Sequence, residues 1–226
     1  MKILVFILML IGTLAFANWK PLELIDAYGK GSFNLKKGVE YIEIDYHIFY
    51  EIYSYKNHKR EHEYFAFYKI GKKPLESFGK SAVDSFKKYR SVAKRDKALV
   101  KYNRSTPKEY NVVFYNAYMI DSNNKFWILE SKQDLIDLIL PIDTPSEAAL
   151  IFWLNGDESI TNDMSIENYK VEYKKLKSGY KIKERYVKMD KNYKGCTEYK
   201  YIYNISKSGK QSKKLLSKIV KESCKI

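Results

Sequence analysis

Residues 41–55 read YIEIDYHIFYEIYSY, and the alternation in this stretch decides the class of fold. Ile42, Ile44, Tyr46, Ile48, Tyr50 and Ile52 share one side at period two, while Glu43, Asp45, His47 and Glu51 take the other. Successive side chains of a strand point to opposite faces, so the pattern predicts a long strand with one apolar and one polar, solvated face. A polar stretch follows at Lys56–Arg60, and Glu61–Ile70 alternates again through Tyr64, Ala66, Tyr68 and Ile70. A hairpin that sets Ile52 opposite Tyr64, Tyr50 opposite Ala66 and Ile48 opposite Tyr68 keeps the apolar face continuous, and a one-residue slip would turn one apolar set to solvent.

The period changes at Pro74. Leu75, Phe78, Ala82, Phe86, Tyr89 and Ala93 recur every three or four residues, which predicts an amphipathic helix between Pro74 and Val100. Glu109–Ile120 is apolar on both sides, as suits a central strand covered twice. Asp121-Ser122-Asn123-Asn124 is turn chemistry, and Phe126–Leu129 returns as a partner strand. Ser131 with Asp134 opens a short helix. Thr144-Pro145-Ser146-Glu147 places an N-cap Thr, a Pro at the first helical position and a Glu at the third, ahead of an apolar helix that stops at Asn155-Gly156. Beyond it come three alternating segments, around Tyr169–Tyr173, Tyr180–Tyr186 and Thr197–Ile205, with Ser178-Gly179 and Ser208-Gly209 as breaks. Leu215, Leu216, Ile219 and Val220 then suggest a last helix. The expected class is α+β, with antiparallel sheet built from an N-terminal hairpin and a C-terminal three-strand meander, and three to four helices. These elements are expected to form a single domain over residues 18–226, with any seam near 141–167.

The chain begins MKILVFILMLIGTLAFA, with Lys2 as a positive start, an apolar run to Leu14, and Ala15-Phe16-Ala17 as a small-residue cleavage site. That is the pattern of a signal peptide over residues 1–17. The run falls short of the roughly 20 apolar residues that cross a bilayer. The expectation is an exported protein, periplasmic or secreted, with no transmembrane segment after cleavage. Cys196 and Cys224, the 2 cysteines of the chain, are then expected to pair with each other.

The formal net charge of +14 is unevenly placed. Asn18–Glu167 carries 22 basic and 22 acidic residues, whereas Asn168–Ile226 carries 18 basic and 5 acidic. The C-terminal alternation spreads Lys170, Lys174, Lys181, Lys183 and Lys200 over the three strands, and these are the candidate binding residues. A positive lobe of this kind attracts an anionic envelope component, whether polymer or membrane surface, or an acidic protein partner. Export makes nucleic acid an unexpected partner in vivo.

Motifs of chemistry are sparse. His58-Lys59-Arg60-Glu61-His62 matches HxxEH, which binds zinc from a helix, but here it falls in the expected hairpin turn. Gly79-Lys80-Ser81 ends like a phosphate-binding loop, yet Pro74 stands where the first glycine is needed. Neither supports a cofactor or a metal. His47, Glu43, Asp45 and Glu51 share the polar face of the first strand, as a carboxylate pair or a His–carboxylate base would require. Two readings follow. The leading one is a non-catalytic envelope protein that binds its partner through the basic C-terminal region. The alternative is a hydrolase of an envelope polymer that uses the carboxylates and His47.

Overall fold

The computed structural model describes residues 19–22, 33–53, 58–71, 73–91, 100–105, 109–155, 166–189 and 195–222. Its architecture is α+β, with two antiparallel five-stranded sheets and, among the described residues, three α-helices. The chain divides into two compact units. One is Leu24–Asn162 with Lys207–Gly209; the other is Met1–Glu23, Asp163–Ser206 and Lys210–Ile226.

The unit around Leu24–Asn162 is built on β2 (Val39–Tyr53), β3 (His58–Gly71), β4 (Val100–Ser105), β5 (Glu109–Asp121) and β6 (Phe126–Leu129). The order is β3-β2-β5-β4, with β6 pairing β5 beyond the end of β4. As the doubly apolar pattern requires, β5 is central. Its two faces are covered by different layers. Tyr41, Tyr118 and Ile120 pack with Phe78, Ala82 and Phe86, the last two from α1 (Lys80–Ser91). Ile42 and Ile44 point the other way, as do their cross-strand neighbours, and Tyr115 on that face meets Trp153 of α3 (Pro145–Leu154) edge to face at 4.8 Å. Between the two helices in chain order comes α2 (Lys132–Ile139), whose Leu135 and Ile139 are fully buried. In this unit Gly209 takes φ +75°, and a Cβ there would sit 2.8 Å from Ile136 Cγ2, so only glycine fits.

Two expectations about this unit are corrected. The hairpin pairs Ile52 with Lys59, Tyr50 with Glu61 and Ile48 with Glu63, not with Tyr64, Ala66 and Tyr68. The expected register assumed a polar turn from Lys56 to Arg60. β2 instead ends at Tyr53 and β3 starts at His58, so the HxxEH residues belong to β3. Extended backbone separates them from the helix that a zinc motif needs. The helix after Pro74 also starts later than its periodicity suggests. The chain forms a 3-10 turn at Leu75–Ser77 and α1 from Lys80, residues 92–99 lie outside the described residues, and Val100 already starts β4.

The other unit is a single sheet in the order β1-β7-β8-β9-β10, formed by β1 (Lys20–Pro21), β7 (Ile166–Leu176), β8 (Gly179–Met189), β9 (Cys196–Ser206) and β10 (Gln211–Lys221). The meander therefore has four strands. The last helix is corrected to a strand: a four-residue break, Lys207 to Lys210, folds residues 211–221 straight back on β9, in register from Gln211↔Ile205 to Lys221↔Cys196. The spacing of Leu215, Leu216, Ile219 and Val220 imitates a helix because the ladder slips between Leu215 and Ser217, where Leu216 is an inserted residue. No helix among the described residues is long and apolar enough to cross a membrane. Residues 1–17, which carry the signal-peptide pattern, lie outside the described residues.

Candidate functional site

Alternation divides the β7–β10 sheet into two unlike faces. One carries Val171, Tyr180, Ile182, Tyr186, Tyr203 and Ile205, all buried, together with Glu184, which accepts a hydrogen bond from the Tyr203 hydroxyl at 2.7 Å. The Tyr186, Tyr199 and Tyr201 rings stack there, Lys213 lies 4.3 Å over Tyr201, and Lys218 lies 5.8 Å over Tyr199. Burial raises the Tyr186 phenol well above its ordinary value, with Tyr201 adding to the effect.

The opposite face gathers cations. The register sets Lys170 beside Arg185 and Arg185 beside Lys200, which forms a row of three positive side chains across β7, β8 and β9. A second row runs Glu172, Lys183, Ile202, Lys214, and a third sets Lys174 beside Lys181. Neighbouring strands lie about 4.8 Å apart, so these charges are close neighbours. All five lysines read from the sequence share this face, and all five are at least partly accessible.

Two carboxylates answer them. Glu172 pairs with Lys183 at 2.5 Å. Glu198 takes Arg185 at 3.0 Å, Lys200 at 3.1 Å and Lys221 at 3.5 Å. Its carboxyl is held below the usual range, first by the hydrogen bond from Lys200 and then by Arg185, against the opposing effect of burial. Trp19, just ahead of β1, lies 4.8 Å from the Lys183 ammonium. Among the described residues, Lys170, Lys174, Lys181 and Lys214 have no carboxylate within ion-pairing distance. Like charges set directly opposite cost stability, and this face accumulates them.

Three cations of the face escaped the sequence reading. Arg185 shares parity with Lys181 and Lys183, so the alternation already held the signal. Lys214 and Lys221 were hidden because the helix reading removed β10 from the sheet.

The second candidate, on β2, is placed differently from its expectation. Glu43 and Asp45 are both 0% exposed, so the face expected to be solvated is buried here, on the same side as Tyr41 and Tyr118 under α1. Tyr41 donates its hydroxyl to Glu43. Burial pushes Asp45 up to about 7, with the Lys69 ammonium opposing. His47 and Glu51 continue the strand opposite Phe114 and Tyr110 of β5, but their side chains lie outside the described residues. An open concavity elsewhere in this unit runs along the outer side of α1, between Lys80, Ser81, Asp84, Ser85 and Lys88. No cluster of metal-ligating side chains occurs among the described residues. Cys196 is buried at the start of β9, and Cys224 lies outside the described residues. Compared with known proteins, the chain matches no family model, no curated sequence and no solved structure.

Proposed function

We propose that this is an exported, non-catalytic protein that holds an anionic polymer or surface of the cell envelope against the basic face of its C-terminal sheet. The observation that carries the reading is the row Lys170, Arg185, Lys200, with Lys174 beside Lys181 on the same face. A lattice of positive charge on hydrogen-bonded strands suits a repeating anion, because successive charges of a polymer meet successive cations. The buried side of the same sheet fixes the strands, so the charges are presented in a constant geometry. Glu43 and Asp45 favour the alternative hydrolase less, since at 0% exposure neither can touch a polymer chain. Export is proposed from the residue 1–17 pattern, and with it a bond between Cys196 and Cys224. The pairing Lys221↔Cys196 supports that bond, because it brings the chain past Cys196 three residues before Cys224.

The test is retention of the protein on an anionic matrix and on isolated envelope material across a salt series. Lys170, Lys174, Lys181 and Lys200 are reversed to Glu in one variant, and Lys73, Lys80, Lys87 and Lys88 in another. Screening shortens from about 10 Å at 0.1 M salt to roughly 3 Å at 1 M, so wild-type retention falls steeply with salt. The first variant is expected to elute at much lower salt than the second. Equal losses would assign retention to net charge alone and leave the sheet face without a role.

A further inference from the structure

The two edges of the C-terminal sheet are unlike. The β1 edge is two residues long and includes Pro21, which has no N–H to offer. The β10 edge runs for 11 residues and, among the described residues, pairs only with β9. Its outer side therefore presents a row of backbone donors and acceptors, the template on which another strand adds. Its side chains match that role. Leu215, Leu216, Ile219 and Val220 are 45%, 52%, 43% and 71% exposed, and among the described residues Trp127 is the one other large apolar side chain so exposed. Apolar exposure concentrated on one edge strand marks an interaction site more than it marks scatter.

The charge of the strand says what fits. Residues 211–221 contain Lys213, Lys214, Lys218 and Lys221 and no acidic residue. A second copy of β10 would bring lysines against lysines, which disfavours self-pairing, and the bulge at Leu216 disturbs the flat edge that such pairing needs. Lys213 and Lys218 lie on the face of Leu215 and Val220, and Lys214 and Lys221 on the face of Ile219. An extended segment that carries both carboxylates and aliphatic side chains on each of its faces therefore meets both features.

We propose that the outer edge of β10 is a strand-addition site for an extended acidic–aliphatic segment of a partner protein. The site uses the backbone hydrogen bonds of the sheet edge and shares only Lys214 and Lys221 with the basic face, so it stands whether or not that face holds a polymer. The experiment uses the full exported chain and a synthetic peptide of repeating Glu-Glu-Val-Val, which sets both residue types on each face of a strand, with binding followed by fluorescence anisotropy. Hydrogen exchange of residues 211–221 is followed in parallel. Three controls accompany it: the same peptide N-methylated at alternate residues, a Lys–Val peptide, and the protein variant Leu216→Ser with Val220→Ser, whose altered side chains are already exposed, add no charge and leave the fold intact. The Glu–Val peptide is expected to bind and to slow exchange in β10. N-methylation or the double substitution is expected to weaken binding about tenfold or more, because each removes one half of strand addition. No binding of the Glu–Val peptide, or equal binding of its N-methylated form, would overturn the proposal. So would concentration-dependent dimerisation that protects β10 without any peptide, since a second copy would then be the occupant.

Discussion

Thr144 and Glu147 cap one another: the Glu147 N–H donates to Thr144 Oγ1 at 3.2 Å, and the Thr144 N–H donates to Glu147 Oε2 at 3.0 Å. The same carboxylate accepts from Asp143 N at 2.8 Å and, through its other oxygen, from Asn34 N at 2.6 Å. A helix-capping residue thus also anchors a segment more than one hundred positions away in the sequence. Thr144→Ala is expected to destabilise the protein by about 1 kcal/mol, the ordinary cost of a lost N-cap. Glu147→Ala is expected to cost about 1–3 kcal/mol more, because it strands three partly buried backbone donors rather than one. Denaturant midpoints of the two variants test this ordering. Equal costs would mean that the freed donors of Asn34 and Asp143 find water.

That cap was legible because its information is local. Thr144-Pro145-Ser146-Glu147 needs no distant partner to be recognised, and the same holds for Ser131 with Asp134 and for the turn at Asp121, whose carboxylate accepts from Asn123 N and Lys125 N at 2.9 Å each. Register was not local. Pairing Ile52 with Lys59 puts an aliphatic side chain opposite a charged one, a choice that an apolar-matching rule rejects. The burial of Glu43 and Asp45 had no signal in their own strand either, since it depends on α1 packing over that face. Among the lysines, alternation set Lys170, Lys174, Lys181, Lys183 and Lys200 opposite or beside apolar positions, and the ladders bring all five to one face. It failed at β10, where one inserted residue at Leu216 gave a strand the spacing of a helix.

Asp45 should make the stability of its unit fall as pH rises. In the unfolded chain the carboxyl releases its proton near the ordinary value of 3.8, whereas burial holds the proton in the folded chain up to about 7. Between these values the folded state binds more protons than the unfolded one, so stability declines with pH across that window. Asp45→Asn keeps the shape and removes the titration. The variant is expected to match wild type near pH 4 and to exceed it by a few kcal/mol at about pH 8, since a tenfold change in proton affinity corresponds to about 1.4 kcal/mol. Melting curves over that range decide the matter. Parallel curves for the two proteins would show that Asp45 reaches water in the folded state.

The proposed bond between Cys196 and Cys224 is expected to leave no titratable thiol in unreduced, unfolded protein. In the chain-entropy account a loop of this length contributes about 3–4 kcal/mol. Cys224→Ser should therefore lower the melting temperature and speed hydrogen exchange at the Lys221 end of β10 more than at the Gln211 end. Two thiols per chain, or an unchanged melting temperature, would refute the pairing.

Glu198 separates stability from binding on the basic face. Arg185, Lys200 and Lys221 converge on its carboxylate, so Glu198→Gln keeps the side-chain volume while leaving three cations without their shared anion. The cations are between 39% and 49% exposed, and water screens them, so the loss of stability is expected to be about 1 kcal/mol. Lowering the pH of the wild type should reproduce that loss. The folded carboxyl sits below its ordinary value of 4.5, so its contribution is present above that pH and disappears as the pH falls through the depressed one. Binding is expected to move the opposite way. With Glu198 neutral, Arg185 and Lys200 complete the row with Lys170 unopposed, and the variant should elute from an anionic matrix at higher salt than wild type. Glu172→Gln, which releases Lys183 alone, should shift elution in the same direction by less. A surface that binds through net charge would give the two variants the same shift, because each removes one negative charge. Unequal shifts, larger for Glu198→Gln, would locate the anion over the Lys170–Arg185–Lys200 row.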